Sequence, residues 1–169
     1  LYSQFKSNNY NLSSLLTRTN EYKKEYQEET YLDMFIYRTA RKFNKKTVGL
    51  EDVKSSSINV MKAQANMDQK EVDKNQQAIL KLLKNKTYNE ALTDFYREKD
   101  LDKIDSLSTL SSPQNYLKAI LFDRNIEMVQ SMDSIMKTGS LFSAIGAAHL
   151  PGEKGVIELL RNKGYQVQP

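Results

Sequence analysis

The sequence contains no cysteine. Disulfides, thiolate metal sites and a cysteine nucleophile are therefore excluded, and the redox compartment leaves no mark on the chain. Histidine is almost as scarce. His149 is the only one, so any imidazole chemistry must run through that residue. Three prolines and six glycines in 169 residues exclude collagen-like and Pro/Gly-rich disordered chains. No apolar run approaches the roughly 20 residues of a membrane-spanning helix. A large excess of one charge is missing too. The 25 basic and 21 acidic side chains are interspersed, for a net charge of +4, whereas a nucleic-acid surface needs clustered Lys and Arg. What is present, 39% hydrophobic and 27% charged residues, suits a single helix-rich globular domain over residues 1–169, too short for two comfortable ones. The chain begins at Leu1 without a basic-then-apolar signal segment, which reads as a portion of a longer protein.

Residues 1–10 carry no strong period. A helical pattern starts at Asn11 with Leu12, Leu15 and Leu16 on one face, and the stretch Asn20–Glu29 is almost entirely polar. Thr30 is placed to cap a helix in which Leu32, Phe35, Ile36, Ala40 and Phe43 share a face, with Asn44 as its stop. Lys46–Glu51 is a short β-type run. Asp52 and Ser55–Ser57 suit a helix start, and one long helical region is expected from about Ile58 to about Leu83. Thr87-x-x-Glu90 is a capping box for a helix from Tyr88 to about Arg97. Leu101, Ile104, Leu107 and Leu110 form another helical stripe. Ser112-Pro113 predicts a cap with proline at the first helical position, followed by a helix carrying Leu117, Leu121, Met128, Met132, Ile135 and Met136 up to Gly139.

Ser140–Ala148 is nearly continuously apolar, as in a strand covered on both faces. Pro151-Gly152 turns the chain into a helix over Glu153–Lys163, Gly164 is its left-handed terminator, and Tyr165–Val167 reads as a last strand. Short apolar strands separated by helices predict an α/β fold, with a helix-rich α+β arrangement as the variant: a small, largely parallel sheet of about three strands under helical cover. In it Val48–Glu51 and Leu141–Ala148 would be parallel strands with Glu51 and His149 at one edge. Three strands make a thin sheet, which fits a fold incomplete at its N-terminus.

His149 follows the apolar run at its carboxyl end, behind Gly146-Ala147-Ala148, whose small side chains leave room for a bulky group. Ligands bind at that edge of open α/β sheets, although spacing alone favours a surface or capping histidine in a turn. Glu51 holds the equivalent place after Gly49-Leu50. A carboxylate and an imidazole together can bind a divalent metal or share acid–base work; as a bland alternative, Glu51 is a solvated acid opening a loop. Arg124 interrupts an apolar stripe between Leu121 and Met128. It either snorkels along its neighbours or, if buried, pairs with an acid, Glu51 or Asp33. Asp33 also reads as a first-turn helix acid, and Asn125 beside Arg124 says little alone. The methionines at four-residue spacing are core. No Ser-His-Asp order, phosphate-binding glycine loop or aromatic-basic surface is present.

The segment Ala144-Ile-Gly146-Ala-Ala-His149-Leu-Pro-Gly152-Glu-Lys-Gly155-Val-Ile-Glu-Leu-Leu160-Arg-Asn-Lys-Gly164-Tyr-Gln-Val167 closely resembles the closing signature of the TraB/GumN family. That family is related to the Tiki proteins, which are regarded as metal-dependent proteases. Leu32-Asp33-Met34 with Ala40, Val48-Gly49-Leu50-Glu51 and Arg124-Asn125 with Met128 resemble further family marks in the expected order, so the likeness runs from about Tyr31 to Pro169. It implies that Glu51, Arg124 and His149 face one cleft, with Glu51 and Arg124 catalytic and with His149 and Glu51 ligating a divalent metal: zinc, manganese or cobalt. The substrate would be a peptide or a small molecule, and a periplasmic or secreted origin follows from the resemblance alone.

The family opens with a further Gly-x-x-His on its first strand, which this chain lacks. One histidine cannot supply both, so the chain is expected to be the C-terminal portion of a larger domain of this type and inactive in this form. The alternative is a non-enzymatic binding or regulatory domain on the same scaffold.

Overall fold

The computed structural model describes residues 32–168, and the chain divides into two compact units between Thr47 and Val48. The helical start at Asn11, the polar stretch Asn20–Glu29 and the Thr30 cap lie outside the described residues. In the first unit, α1 (Leu32–Lys42) ends on Arg41 and Lys42, cations suited to the negative end of the helix dipole. Asn44 follows at φ 53°, a left-handed position that asparagine tolerates better than most residues, and it stops the helix as the sequence suggests.

In the second unit, Asp52 accepts the Lys54 N–H at 3.1 Å and opens α2 (Val53–Ala65). The single helix expected up to Leu83 is instead three: α2, α3 (Gln69–Asp73) and α4 (Gln76–Leu83). Asn66 and Asp68 cause the first of the two breaks. The Asn66 side chain donates back to the Lys62 carbonyl, and Asp68 accepts the Lys70 N–H at 3.0 Å, local bonds that compete with helix propagation. The Thr87–Glu90 capping box forms in full at the start of α5 (Tyr88–Arg97). Asp100 caps α6 (Leu101–Leu110) by accepting the Lys103 N–H. Pro113 stands at the cap of α7 (Gln114–Leu117), one residue later than expected. A π-helical turn, Lys118–Phe122, then leads into α8 (Asp123–Met136). Beyond it come a 3₁₀ turn at Ala147–His149 and α9 (Val156–Asn162), with Gly164 left-handed at φ 91°.

The expected parallel sheet does not form. Among the described residues there is no strand, and the second unit is helical. Residues 141–146 nevertheless alternate: Leu141, Ser143 and Ile145 are half-buried, while Phe142, Ala144 and Gly146 face out. Phe142 is 79% exposed, so the run is covered on one face only. Its period-2 pattern is real, but a strand needs a hydrogen-bonded neighbour, and this run buries its inward side chains against helices. Val48–Glu51 behaves alike, with Val48 exposed and Leu50 packed inward. Tyr165–Val167 is held by other bonds. The Tyr165 N–H donates to the Leu160 carbonyl, Arg161 donates to the Val167 carbonyl, and the Tyr165 hydroxyl donates to Asp133 at 2.8 Å. Hydrogen bonds from Lys137 first, then from Tyr165 and Lys163, push the Asp133 carboxyl down to about 2.

Two apolar clusters organise the second unit. One joins Ala91, Phe95, Ile104 and Leu107 with Ala147 and Ala148 packed on it. The other joins Val129, Met132 and Val156 with Leu50, Leu141 and Ile145 packed on it. Segment 141–148 thus leans on both, and His149 sits at its end. The turn that follows is tight: the Gly155 N–H donates to the Gly152 carbonyl at 2.9 Å. A Cβ on Gly155 would stand 2.0 Å from the Pro151 carbonyl oxygen and 2.4 Å from that of Leu150, so the backbone approach itself demands glycine. Gly155→Ala is expected to cost about 3 kcal/mol, the severe end of overpacking. Urea unfolding checks this through a lower midpoint, and an unchanged midpoint would show that the turn yields freely.

Candidate functional site

Three segments distant in sequence deliver the site. The extended run ending at Glu51 precedes α2, Arg124 and Asn125 lie in the first turn of α8, and His149 closes the 3₁₀ turn. Arg124 meets Glu51, one of the two acids that its place on the stripe suggests. The guanidinium donates Nε–H to Oε2 and Nη2–H to Oε1, both at 2.7 Å, a two-point fork. Arg124 Nη1 also donates to the Ile120 carbonyl in the π turn at 3.0 Å, and the Ser56 hydroxyl donates to Glu51 Oε2 at 2.9 Å. Both side chains are largely withdrawn from water, at 17% exposure for Glu51 and 29% for Arg124. The Arg124 hydrogen bonds hold the Glu51 carboxyl below the usual carboxylate range against the opposing effect of burial, with Ser56 helping. Arg124 is therefore a paired cation in the fold, not a snorkelling one.

His149 is buried, and its Nδ1 stands 2.6 Å from Asn125 Oδ1. Burial pushes the imidazole below the usual histidine range; Arg124 pushes the same way, and Glu51 partly opposes it. The neutral ring is thus the favoured form. Asn125, 1% exposed, donates Nδ2–H to the Lys154 carbonyl at 2.7 Å. Spacing did carry a signal for Asn125: it falls four residues after Leu121 and three before Met128, both buried. A polar side chain on such a stripe must find partners. The π turn that shifts the register just before Arg124 has no sequence signature of its own, though such turns recur at functional sites.

The set can hold an ionised carboxylate, a cation and a neutral imidazole close enough to bias one another. As metal donors the residues are less complete. Among the described residues no group of three or more His, Asp or Glu side chains is placed to hold an ion. Both Glu51 oxygens accept hydrogen bonds from Arg124, and Oε2 takes a further one from Ser56. A catalytic zinc usually takes three protein donors plus water, so the described residues do not make such a site by themselves. Among them, too, no helix is long and apolar enough to cross a membrane.

The model of the TraB/PrgY/gumN family matches residues 2–169, and the chain belongs to that family. No curated protein and no solved structure matches the chain.

The fork is a stability element with a definite pH sense. A carboxyl lowered in the folded state from about 4.5 contributes fully above that value and loses its contribution as pH falls through the lower folded value. A double-mutant cycle of Glu51→Gln and Arg124→Met at pH 7 should give a coupling of about 1–2 kcal/mol, between exposed and fully buried pairs. The coupling should shrink below pH 4.5. Urea unfolding across pH measures it, and a value near zero at neutral pH would remove the fork from the account.

Proposed function

We propose that this member of the TraB/PrgY/gumN family carries part of the centre of a metal-dependent hydrolase, with peptides as the leading substrate class. The observation that carries the reading is the convergence of Glu51, Arg124 and His149 from three separate segments. In it a neutral imidazole lies beside a neutralised ion pair. Hydrolysis needs a group to take a proton from water, and a neutral imidazole suits that step whenever its one lone pair is not bound to a metal. A divalent metal, zinc, manganese or cobalt, would supply a polarised water. Of Glu51 and His149, the residues that would hold it, the ring is the one not engaged by Arg124. Arg124 keeps Glu51 ionised, and the pair fixes the field at the ring. The roles of Glu51 and Arg124 in catalysis, and of Glu51 and His149 toward metal, belong to this proposal.

A second reading has its own observation. The engagement of both Glu51 oxygens by Arg124 suits a binding or regulatory domain that keeps the scaffold without the chemistry. Calorimetry with zinc, manganese and cobalt, together with hydrolysis of a mixed peptide pool, separates the two. Residues 1–169 alone should bind metal weakly and cleave nothing, because missing or unoriented ligands each cost on the order of 10–100-fold in affinity. His149→Ala should remove the binding that exists. Tight binding that survives His149→Ala would overturn the metal reading. Any encoded upstream Gly-x-x-His segment, expressed together with these residues, should bring tight binding and peptide cleavage. Negligible binding there would favour the regulatory domain.

A further inference from the structure

We infer that Asn125 is a positioning residue that holds His149 as the Nδ1–H tautomer, leaving the Nε2 lone pair as the reactive atom of the ring. The inference rests on the reading of His149 as the working imidazole and adds which nitrogen works and what selects it. It follows from valence. The Lys154 carbonyl oxygen can only accept a hydrogen bond, so the amide face of Asn125 directed at it, 2.7 Å away, must be the NH₂ group. The opposite orientation would place two acceptor oxygens against each other at a side chain withdrawn from water, since Asn125 is 1% exposed. The Asn125 oxygen therefore faces His149 Nδ1 at 2.6 Å, and an oxygen that can only accept requires a hydrogen on that nitrogen. In a neutral ring the other nitrogen then carries none.

The chain of constraint runs further back. Lys154 belongs to the turn in which Gly155 lies against the Pro151 and Leu150 carbonyls, where a Cβ has no room. That turn fixes the Lys154 oxygen, the oxygen fixes the orientation of the Asn125 amide, and the amide fixes the tautomer. Histidines that bind metal or transfer protons commonly have one ring nitrogen bonded to a carboxylate, a carbonyl or water, which sets the tautomer and the ring plane. Here an asparagine fills that place, and it supplies no charge. It orients the ring without raising its basicity, as a carboxylate would.

The test is nitrogen-15 NMR of the metal-free protein labelled at histidine. With one histidine in the chain, both ring signals belong to His149. At about pH 8, above the ordinary histidine range, the wild type should show Nδ1 as the protonated, pyrrole-type nitrogen and Nε2 as the bare, pyridine-type nitrogen. Asn125→Ala should lose that pattern, with Nε2–H becoming a substantial or major form. A wild-type ring protonated at Nε2 would overturn the inference, as would an unchanged pattern in a folded Asn125→Ala protein. If that variant does not fold, the wild-type spectrum still decides. The readout needs neither metal nor turnover. An Nδ1–H ring in a protein that never binds metal or cleaves peptide would count against the hydrolase reading alone. An Nε2–H ring in a protein whose metal binding depends on His149 would count against this inference alone.

Discussion

A carboxamide sealed from water must satisfy both of its ends, and around Asn125 that requirement organises the region. Its NH₂ end holds the turn after His149, and its oxygen holds the imidazole. These bonds orient the meeting of α8, the 3₁₀ turn and the turn before α9, where apolar contacts set distance but not direction. In the absence of a hydrogen-bonded ladder, side chains supply the directional contacts that a sheet edge would otherwise provide. The Glu51–Arg124 fork does the same for the other segment, tying the run before α2 to the first turn of α8 at two points. Arg124 and Asn125 are neighbours in sequence, and between them they fix the carboxylate and the ring.

What could be read from the sequence divides by the range of the interaction. The capping box at Thr87 and Glu90, the α6 stripe and the left-handed Gly164 depend on residues within a few positions of one another, and the structure shows them where the sequence places them. The pairing of Arg124 was legible in part. Its place on an apolar stripe called for an acid, and Glu51 was one of two candidates. The sheet was not legible, because alternation reveals an extended run with one buried side, while the identity of whatever covers that side depends on distant chain. Residues 141–146 have the alternation and pack on helices. The break of the expected Ile58–Leu83 helix at Asn66 and Asp68 was within reach of local reasoning, since both residues commonly bond back to their own backbone. Asn125 says little as a lone side chain, yet its spacing from Leu121 and Met128 places it inside.

The family match fits this pattern. The closing signature contains glycines whose reasons are now visible in this chain: Gly155 for a backbone approach that no Cβ survives, and Gly152 and Gly164 for left-handed turns. These positions shape the turn beside His149 or end α9, and none of them is a reacting group. A resemblance dominated by such residues reports a common framework more directly than a common reaction.

The seating of residues 141–148 across two apolar clusters has a kinetic consequence. Ala147 and Ala148 lean on the cluster of α5 and α6, while Leu141 and Ile145 lean on that of α8 and α9. Loosening either cluster frees one end of the segment, and the imidazole at its tip loses its bearings in both cases. Local opening in proteins spans a range of free energies, from near zero in frayed parts to the global value in the core. The residence of His149 in its working orientation therefore follows the shorter-lived of its two supports. Strengthening the sturdier one would leave that lifetime where it was.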